Sequence, residues 1–159
     1  MEKLLLSEIA HCLNAECPEE KVITEISTDT RNLPAGCLFI AIKGERFDGH
    51  AFIKQAIENG AAAAVSEYPV DGCPCIVVKN TRTALLKLAK YYRSKFNPVL
   101  VGITGSVGKT TTKEMIALVL SEKYKTLKTQ GNLNNEIGLP KTLFNLDSSY
   151  QAAVIEMGM

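Results

Sequence analysis

The residues best suited to chemistry form the run Gly102-Ile103-Thr104-Gly105-Ser106-Val107-Gly108-Lys109-Thr110-Thr111. An apolar run enters it and a helical pattern leaves it. Glycines there let successive backbone N–H groups turn into one concavity, and the start of a helix adds its positive end, so the segment suits a polyphosphate. Lys109 is long enough to reach β- and γ-phosphate oxygens, and the Thr110 hydroxyl can join the shell of a Mg²⁺ ion. The usual phosphate-loop pattern has glycine where Ile103 stands, five residues before Gly108. The backbone physics survives that change.

Three further clusters accompany the loop. Thr129-Gln-Gly-Asn132-Leu-Asn134-Asn135-Glu-Ile-Gly138-Leu-Pro140 is rich in amide donors and acceptors that suit a polar ligand, although turn chemistry alone also uses Asn and Gly. Glu156 ends the apolar run Ala153-Val-Ile155, where open parallel sheets gather their ligands, and its carboxylate suits a hard cation. Ser27-Thr28-Asp29-Thr30-Arg31 and Lys43-Gly44-Glu45-Arg46-Phe47-Asp48-Gly49-His50 bring hydroxyls, arginines and glycines to two loops. These could hold a diphosphate or a nucleobase. An Asp29–Arg31 ion pair with an Asx-turn would explain much of the first loop by itself.

Positioning these groups requires two α/β units, a small one followed by the opening of a second. A short amphipathic helix is predicted over 2–13 and a strand over Val22 to Ile26. After the turn Leu33-Pro34-Ala35-Gly36, Cys37 to Ile42 reads as a strand covered on both faces, because it is apolar without alternation. Phe52, Ile53, Ala56 and Ile57 recur at helical spacing; Ala61 to Val65 and Cys75 to Val78 read as further buried strands. Asn80 or Thr81 can cap a helix whose inner face is Leu85, Leu88, Ala89, Tyr92 and Phe96. Val99 to Thr104 is a strand, and Thr110 to about Lys123 a helix with Met115, Ile116, Val119 and Leu120 inward. Thr126 to Lys128 and Ala152 to Met157 are strands separated by a helix beginning near Pro140. The expected division is 1–80 a small α/β domain, 81–98 a linking helix and 99–159 the first part of a second, parallel-sheet domain. From Gly105 to Met159 there is far less chain than the roughly 150 residues of an ordinary nucleotide-binding domain, so an N-terminal, truncated portion of a longer protein is expected.

Composition sets the outer bounds. With 18 Lys+Arg against 17 Asp+Glu the net charge is +1, so no global field attracts nucleic acid or an acidic membrane surface. No apolar run approaches the roughly 18 residues of a membrane span, and Glu2 and Glu8 flank the N-terminal apolar patch, which argues against a secretory signal. Cys12, Cys17, Cys37, Cys73 and Cys75 form no Cys-x-x-Cys pair and read as reduced packing thiols. A cytoplasmic monomer is expected.

Taken together, Gly105-Ser-Val-Gly-Lys-Thr-Thr111, Asp29-Thr30-Arg31, Pro34-x-Gly36-x-Leu38-Phe39 and Gly44-x-x-x-Asp48-Gly49-His50 resemble the Mur ligases of peptidoglycan synthesis. Gly131-Asn-Leu-Asn-Asn-x-Ile-Gly-x-Pro140 and Glu156-Met-Gly158 are similar to the member that adds D-alanyl-D-alanine; the diamino-acid-adding member usually has a Glu-x-Ser-Ser pattern there. Ser106-Val107 departs from the Thr-Asn frequent in the family.

The resemblance implies a UDP-binding first domain and an ATP-binding second one. Thr28, Thr30, Arg31 and the turn Glu45-Arg46-Phe47 would contact the UDP part of a UDP-N-acetylmuramoyl tripeptide. Gly105, Ser106, Val107, Gly108, Lys109, Thr110 and Thr111 would hold the ATP triphosphate, with Lys109 catalytic. Thr110 and Glu156 would ligate Mg²⁺, and Asn134 and Asn135 would border the substrate pocket. The implied reaction moves the γ-phosphoryl group of ATP to the tripeptide carboxylate and then joins D-alanyl-D-alanine as an amide. Residues 1–159 alone are expected to lack ligase activity. The alternatives are the diamino-acid-adding ligase and an unrelated phosphate-loop NTPase, which would leave the Asp29 and Asp48 loops unexplained.

Overall fold

The structure, a computed structural model, describes residues 1–44 and 47–158. The chain divides into two compact units, Met1–Leu88 and Ala89–Met159.

The first unit begins with β1 (Leu4–Leu5) and α1 (Leu6–Leu13), followed by β2 (Val22–Ile23) and β3 (Ile26–Ser27). The helix expected over 2–13 thus starts late, because Leu4 and Leu5 pair antiparallel with Ile23 and Val22. The strand expected over Val22 to Ile26 is two strands in different sheets. Asn14 ends α1 in the left-handed region at φ 54°, which asparagine tolerates better than most residues. Next come β4 (Leu38–Ile40), a 3₁₀ turn over Gly49–Phe52, α2 (Ile53–Glu58), β5 (Ala63–Ser66) and β6 (Cys75–Val77). A four-stranded sheet runs β3-β4-β5-β6, every pair parallel. Cys37, Phe39, Ala41, Ile53, Ala56, Ala61 and Ala64 form a buried cluster in this unit. Continuous apolar runs were the sign of it, since a parallel strand covered on both faces does not alternate.

Helix α3 (Thr81–Ser94) opens with the Asn80 side chain accepting from the Thr83 N–H at 2.8 Å, and the Asn80 carbonyl accepts from Ala84. Its buried face is Ala84, Leu85, Leu88, Ala89 and Tyr92. Within the second unit the Tyr92 hydroxyl donates to the Leu146 carbonyl at 2.6 Å, and its ring meets Phe96 and Phe144 edge-on.

The second unit continues with β7 (Val99–Ile103), α4 (Lys109–Ser121), β8 (Thr126–Lys128), α5 (Gly138–Leu143) and β9 (Ala152–Glu156). All three strands are parallel in the order β7-β9-β8, so β9 is central and entirely buried. Register pairs Ile103 with Glu156 and Lys128 with Val154. The ends of β7 and β9 therefore deliver the glycine loop and Glu156 to the same edge.

The inward face of α4 differs from expectation. Ile116 and Leu120 pack with Ala117 toward Ile103 and Val154, but Met115 and Val119 face solvent at 64% and 71% exposure. The buried stripe instead begins at Lys113, one turn after Lys109. The apolar run at 115–120 is wider than one helix face, so spacing alone did not set its phase. Among the described residues, Val99, Leu100 and Leu118 are also exposed, and the second unit leaves this apolar surface open.

Candidate functional site

The loop between β7 and α4 has the strand–loop–helix form expected of it. Gly108 has φ 77° and Gly105 φ 145°, values that side chains with a Cβ rarely adopt. The Thr112 N–H donates to the Gly108 carbonyl at 2.9 Å, closing the first helical turn. The N–H groups of Lys109, Thr110 and Thr111 lie ahead of that bond and have no intrahelical acceptor, the usual basis of an anion site. Ser106 and Val107 stand exposed at the tip. The Lys109 ammonium folds back to donate to the Gly105 carbonyl at 2.6 Å.

Glu156 is the hub of the site, although it is only 2% exposed. The Thr129 hydroxyl accepts from the Glu156 backbone N–H at 2.9 Å and fixes the end of β9. The Asn134 amide donates to Glu156 Oε1 at 2.9 Å, and the Thr110 hydroxyl lies 3.1 Å from Oε2 and 3.4 Å from Oε1. The Asn134 hydrogen bond is the main cause holding this carboxyl below the ordinary carboxylate range. Burial opposes it, and Thr110, Lys113 and Lys109 add to it. The Thr110 hydroxyl and the nearer carboxylate oxygen have about the ~3 Å spacing of adjacent oxygen ligands on an ion bound at roughly 2.0–2.1 Å. A neutral hydroxyl beside an ionised carboxylate is a donor set that fits Mg²⁺.

Lys113 is a member of this site that the sequence reading missed. Its side chain is 2% exposed, with Nζ 3.7 Å from Glu156 Oε2 and 3.2 Å from Glu114 Oε1. Glu114 in turn pairs with Lys128 on β8. The available signal was positional: Lys113 lies four residues after Lys109 and three after Thr110, hence on their face of α4.

Asn134 and Asn135 have different surroundings. Asn134 reaches Glu156, and its carbonyl accepts from the Gly158 N–H at 2.6 Å. The Asn135 side-chain oxygen accepts from the N–H groups of Ile137 and Gly138 at 3.1 and 2.7 Å, so it is engaged at the start of α5. Gly138 is there because a Cβ would stand 2.5 Å from Leu133 Cα.

In the first unit, Thr28 and Thr30 are half-buried just beyond β3. Arg31 grips Asp29 with Nε and Nη2, at 2.6 Å for the shorter contact, while its own N–H donates to Asp29 Oδ1 at 3.0 Å. The ion pair with an Asx-turn foreseen from the residues is thus formed, and the Arg31 side chain remains 88% exposed. Phe47 is exposed; Glu45 and Arg46 lie outside the described residues. His50 is buried and engaged at both ring nitrogens. The Glu67 N–H donates to Nε2 at 3.1 Å, which assigns the proton to Nδ1, and Nδ1 donates to Asp48 Oδ1 at 2.6 Å. The Asp48-Gly-His50 motif therefore clamps its loop onto β5. Glu67 passes the order on by accepting from the Thr81 N–H at 3.1 Å at the start of α3.

A parallel α/β unit with a phosphate-type loop, and a carboxylate set beside the loop threonine, defines a class that handles polyphosphates at the carboxyl edge of its strands. The chain belongs to the Mur ligase family: residues 22–93 match the Mur ligase family catalytic domain, and residues 103–159 the Mur ligase middle domain. It is 46% identical over 160 residues to UDP-N-acetylmuramoyl-tripeptide–D-alanyl-D-alanine ligase of Escherichia coli (strain K12), covering 99% of this chain and 35% of that protein. The ligase of the same name from Bacillus subtilis (strain 168) is 48% identical over 145 residues, covering 89% of this chain and 32% of that protein. A crystal structure of MurF from Acinetobacter baumannii superposes with TM-score 0.94 at 38% identity, covering 100% of this chain and 36% of that one. MurF ligase from Thermotoga maritima in complex with ADP gives TM-score 0.78 at 38% identity, covering 84% and 32%. The chain spans about a third of the length of the curated relatives it matches. Among the described residues, no helix is long and apolar enough to cross a membrane.

Proposed function

We propose that this chain provides the ATP-polyphosphate cradle and the UDP-nucleotide half-site of an ATP-dependent ligase that adds D-alanyl-D-alanine to UDP-N-acetylmuramoyl tripeptide. One observation carries the reading: Lys109, Thr110 and Glu156 converge from a helix start and a central strand end at one sheet edge. The names of the relatives support the substrate pair, and with it this member over the diamino-acid-adding one. In this reading the enzyme is a monomer that works in the cytoplasm.

A carboxylate resists attack by an amine because of resonance and charge, so it must first be activated. The free N–H groups at the start of α4 hold the phosphate tail in line, and Lys109 turns from Gly105 toward the β- and γ-oxygens. The γ-phosphoryl group passes to the tripeptide carboxylate with release of ADP. The amine of D-alanyl-D-alanine then displaces phosphate from the acyl phosphate and forms the amide. Thr110 and Glu156 would hold Mg²⁺, which supplies neutralisation of the phosphate charge. Thr28, Thr30, Arg31, Glu45, Arg46 and Phe47 serve the UDP portion, and within the second unit Asn134 and Asn135 border the substrate and metal pocket.

Calorimetry tests the two halves separately. Mg-ATP heat should fall at least about tenfold in affinity in Lys109→Ala, while UDP binding stays at the wild-type level. Placed in a full-length relative, the same substitution should lower ADP release dependent on both substrates by orders of magnitude. Near-normal turnover there would refute the assignment of the loop. ADP release independent of the muramoyl peptide would favour an unrelated NTPase.

A further inference from the structure

A buried lysine needs an anion facing it, because the charge has lost its water. Lys113 has two candidates, Glu114 at 3.2 Å and Glu156 at 3.7 Å. Glu114 is 48% exposed and already paired with Lys128, so its charge is met from β8 and by solvent. Glu156 is 3% exposed, and its other partners, the Asn134 amide and Thr110 hydroxyl, are neutral. Lys113 is therefore the buried cation that balances Glu156. Lys109 adds a second positive charge on the loop side of the same helix turn.

We propose that Lys113 is a positioning residue that balances Glu156 and sets the order of binding, so that the site accepts a divalent cation together with a polyphosphate and rejects the cation alone. The inference rests on the polyphosphate reading given above. Around the Thr110–Glu156 pair, Glu156 and the more exposed Glu114 face Lys109, Lys113 and Lys128, a set that remains net positive. A bare dication meets net repulsion there, which Glu114 offsets only in part. A triphosphate reverses the sign, draws Lys109 off the Gly105 carbonyl and makes the carboxylate available beside its own oxygens. Removal of Lys113 leaves Glu156 with its two neutral donors and spare lone pairs, which is a better site for a free metal ion.

The experiment uses the whole chain and Mn²⁺, followed by electron paramagnetic resonance, with and without inorganic tripolyphosphate. Wild type should bind Mn²⁺ alone weakly and at least about tenfold more tightly with tripolyphosphate. Lys113→Met should bind Mn²⁺ alone at least about tenfold more tightly than wild type and lose most of the tripolyphosphate dependence. Lys113→Arg, which keeps the charge, should behave as wild type. Unchanged or weaker binding of Mn²⁺ alone by a folded Lys113→Met protein overturns the proposal, as does a Lys113→Arg protein that behaves like it. Circular dichroism reports the fold. If Lys113→Met does not fold, Glu114→Gln decides: with Lys113 left to Glu156 alone, Mn²⁺ without tripolyphosphate should bind more weakly, and unchanged or tighter binding overturns the proposal. A folded wild type that ignores Mn²⁺ with tripolyphosphate removes the polyphosphate reading itself, a result separate from a failure of Lys113.

Discussion

Replacing Glu156 by Gln tests the centre of the site while keeping its size. The wild-type carboxylate accepts from Asn134 at 2.9 Å and Thr110 at 3.1 Å and faces the buried ammonium of Lys113. Glutamine keeps one acceptor oxygen but turns an NH₂ toward one of those donors. The loss is at least one hydrogen bond to a charged group, about 1.5–3 kcal/mol. Breaking a buried ion pair from one side costs about 3–5 kcal/mol, but Lys113 retains Glu114 and the Thr110 hydroxyl can rotate away. The net expectation is about 2–3 kcal/mol, read as a fall of roughly 1–2 M in the urea midpoint of the second unit. Since the chain has no tryptophan, tyrosine fluorescence and far-ultraviolet circular dichroism are the probes. In parallel, Mg²⁺ should cease to strengthen ATP binding measured by calorimetry. A variant with an unchanged midpoint and an undiminished Mg²⁺ effect would show that Glu156 is neither a structural hub nor a metal ligand.

Three further outcomes are expected. Tyr92→Phe strands the Leu146 carbonyl in the interior and should cost about 1–3 kcal/mol in urea denaturation; a neutral result would mean that water replaces the hydroxyl. Gly138→Ala drives a methyl into Leu133 backbone and should cost about 1–3 kcal/mol, and nuclear magnetic resonance should show the Asn134 side-chain amide shifted, whereas an unmoved Asn134 signal would disconnect that packing from the site. The His50 N–H, then the His50 ring, hold the Asp48 carboxyl below its ordinary value, so this stabilisation is present above about pH 4, the unfolded-state value, and fades as acid carries Asp48 through its lower folded-state one. Asp48→Asn should accordingly flatten the acid limb of a stability–pH curve below about pH 4, and parallel curves would remove the Asp48–His50 link.

How legible these features were in the sequence depended on how local their causes are. β8 and the Asn80 cap were readable because a short apolar alternation and one side-chain oxygen determine them. Leu4 and Leu5 read as helix because helical spacing carries no sign of a partner strand nearly twenty residues away. Glu156 could be placed at a strand end beside the loop, since sheet chemistry ties that position to ligands. Its neighbour Lys113 could not, because lysine in a helix is ordinarily a solvent residue and only the fold shows the carboxylate opposite it. His50 was grouped with the ligand loop by its neighbours, whereas the bond from the Glu67 N–H, just past the end of β5, makes it a clasp.

On the proposed polyphosphate reading, the bond from Lys109 to the Gly105 carbonyl acts as a selector for what enters the loop. An uncharged guest, such as a nucleoside, would have to break that contact and offer the ammonium nothing better in return. A guest carrying several negative oxygens replaces one neutral acceptor with stronger ones and leaves the lysine better satisfied than before. On that reading, discrimination between energy-rich nucleotides and their dephosphorylated remnants is built into the resting loop.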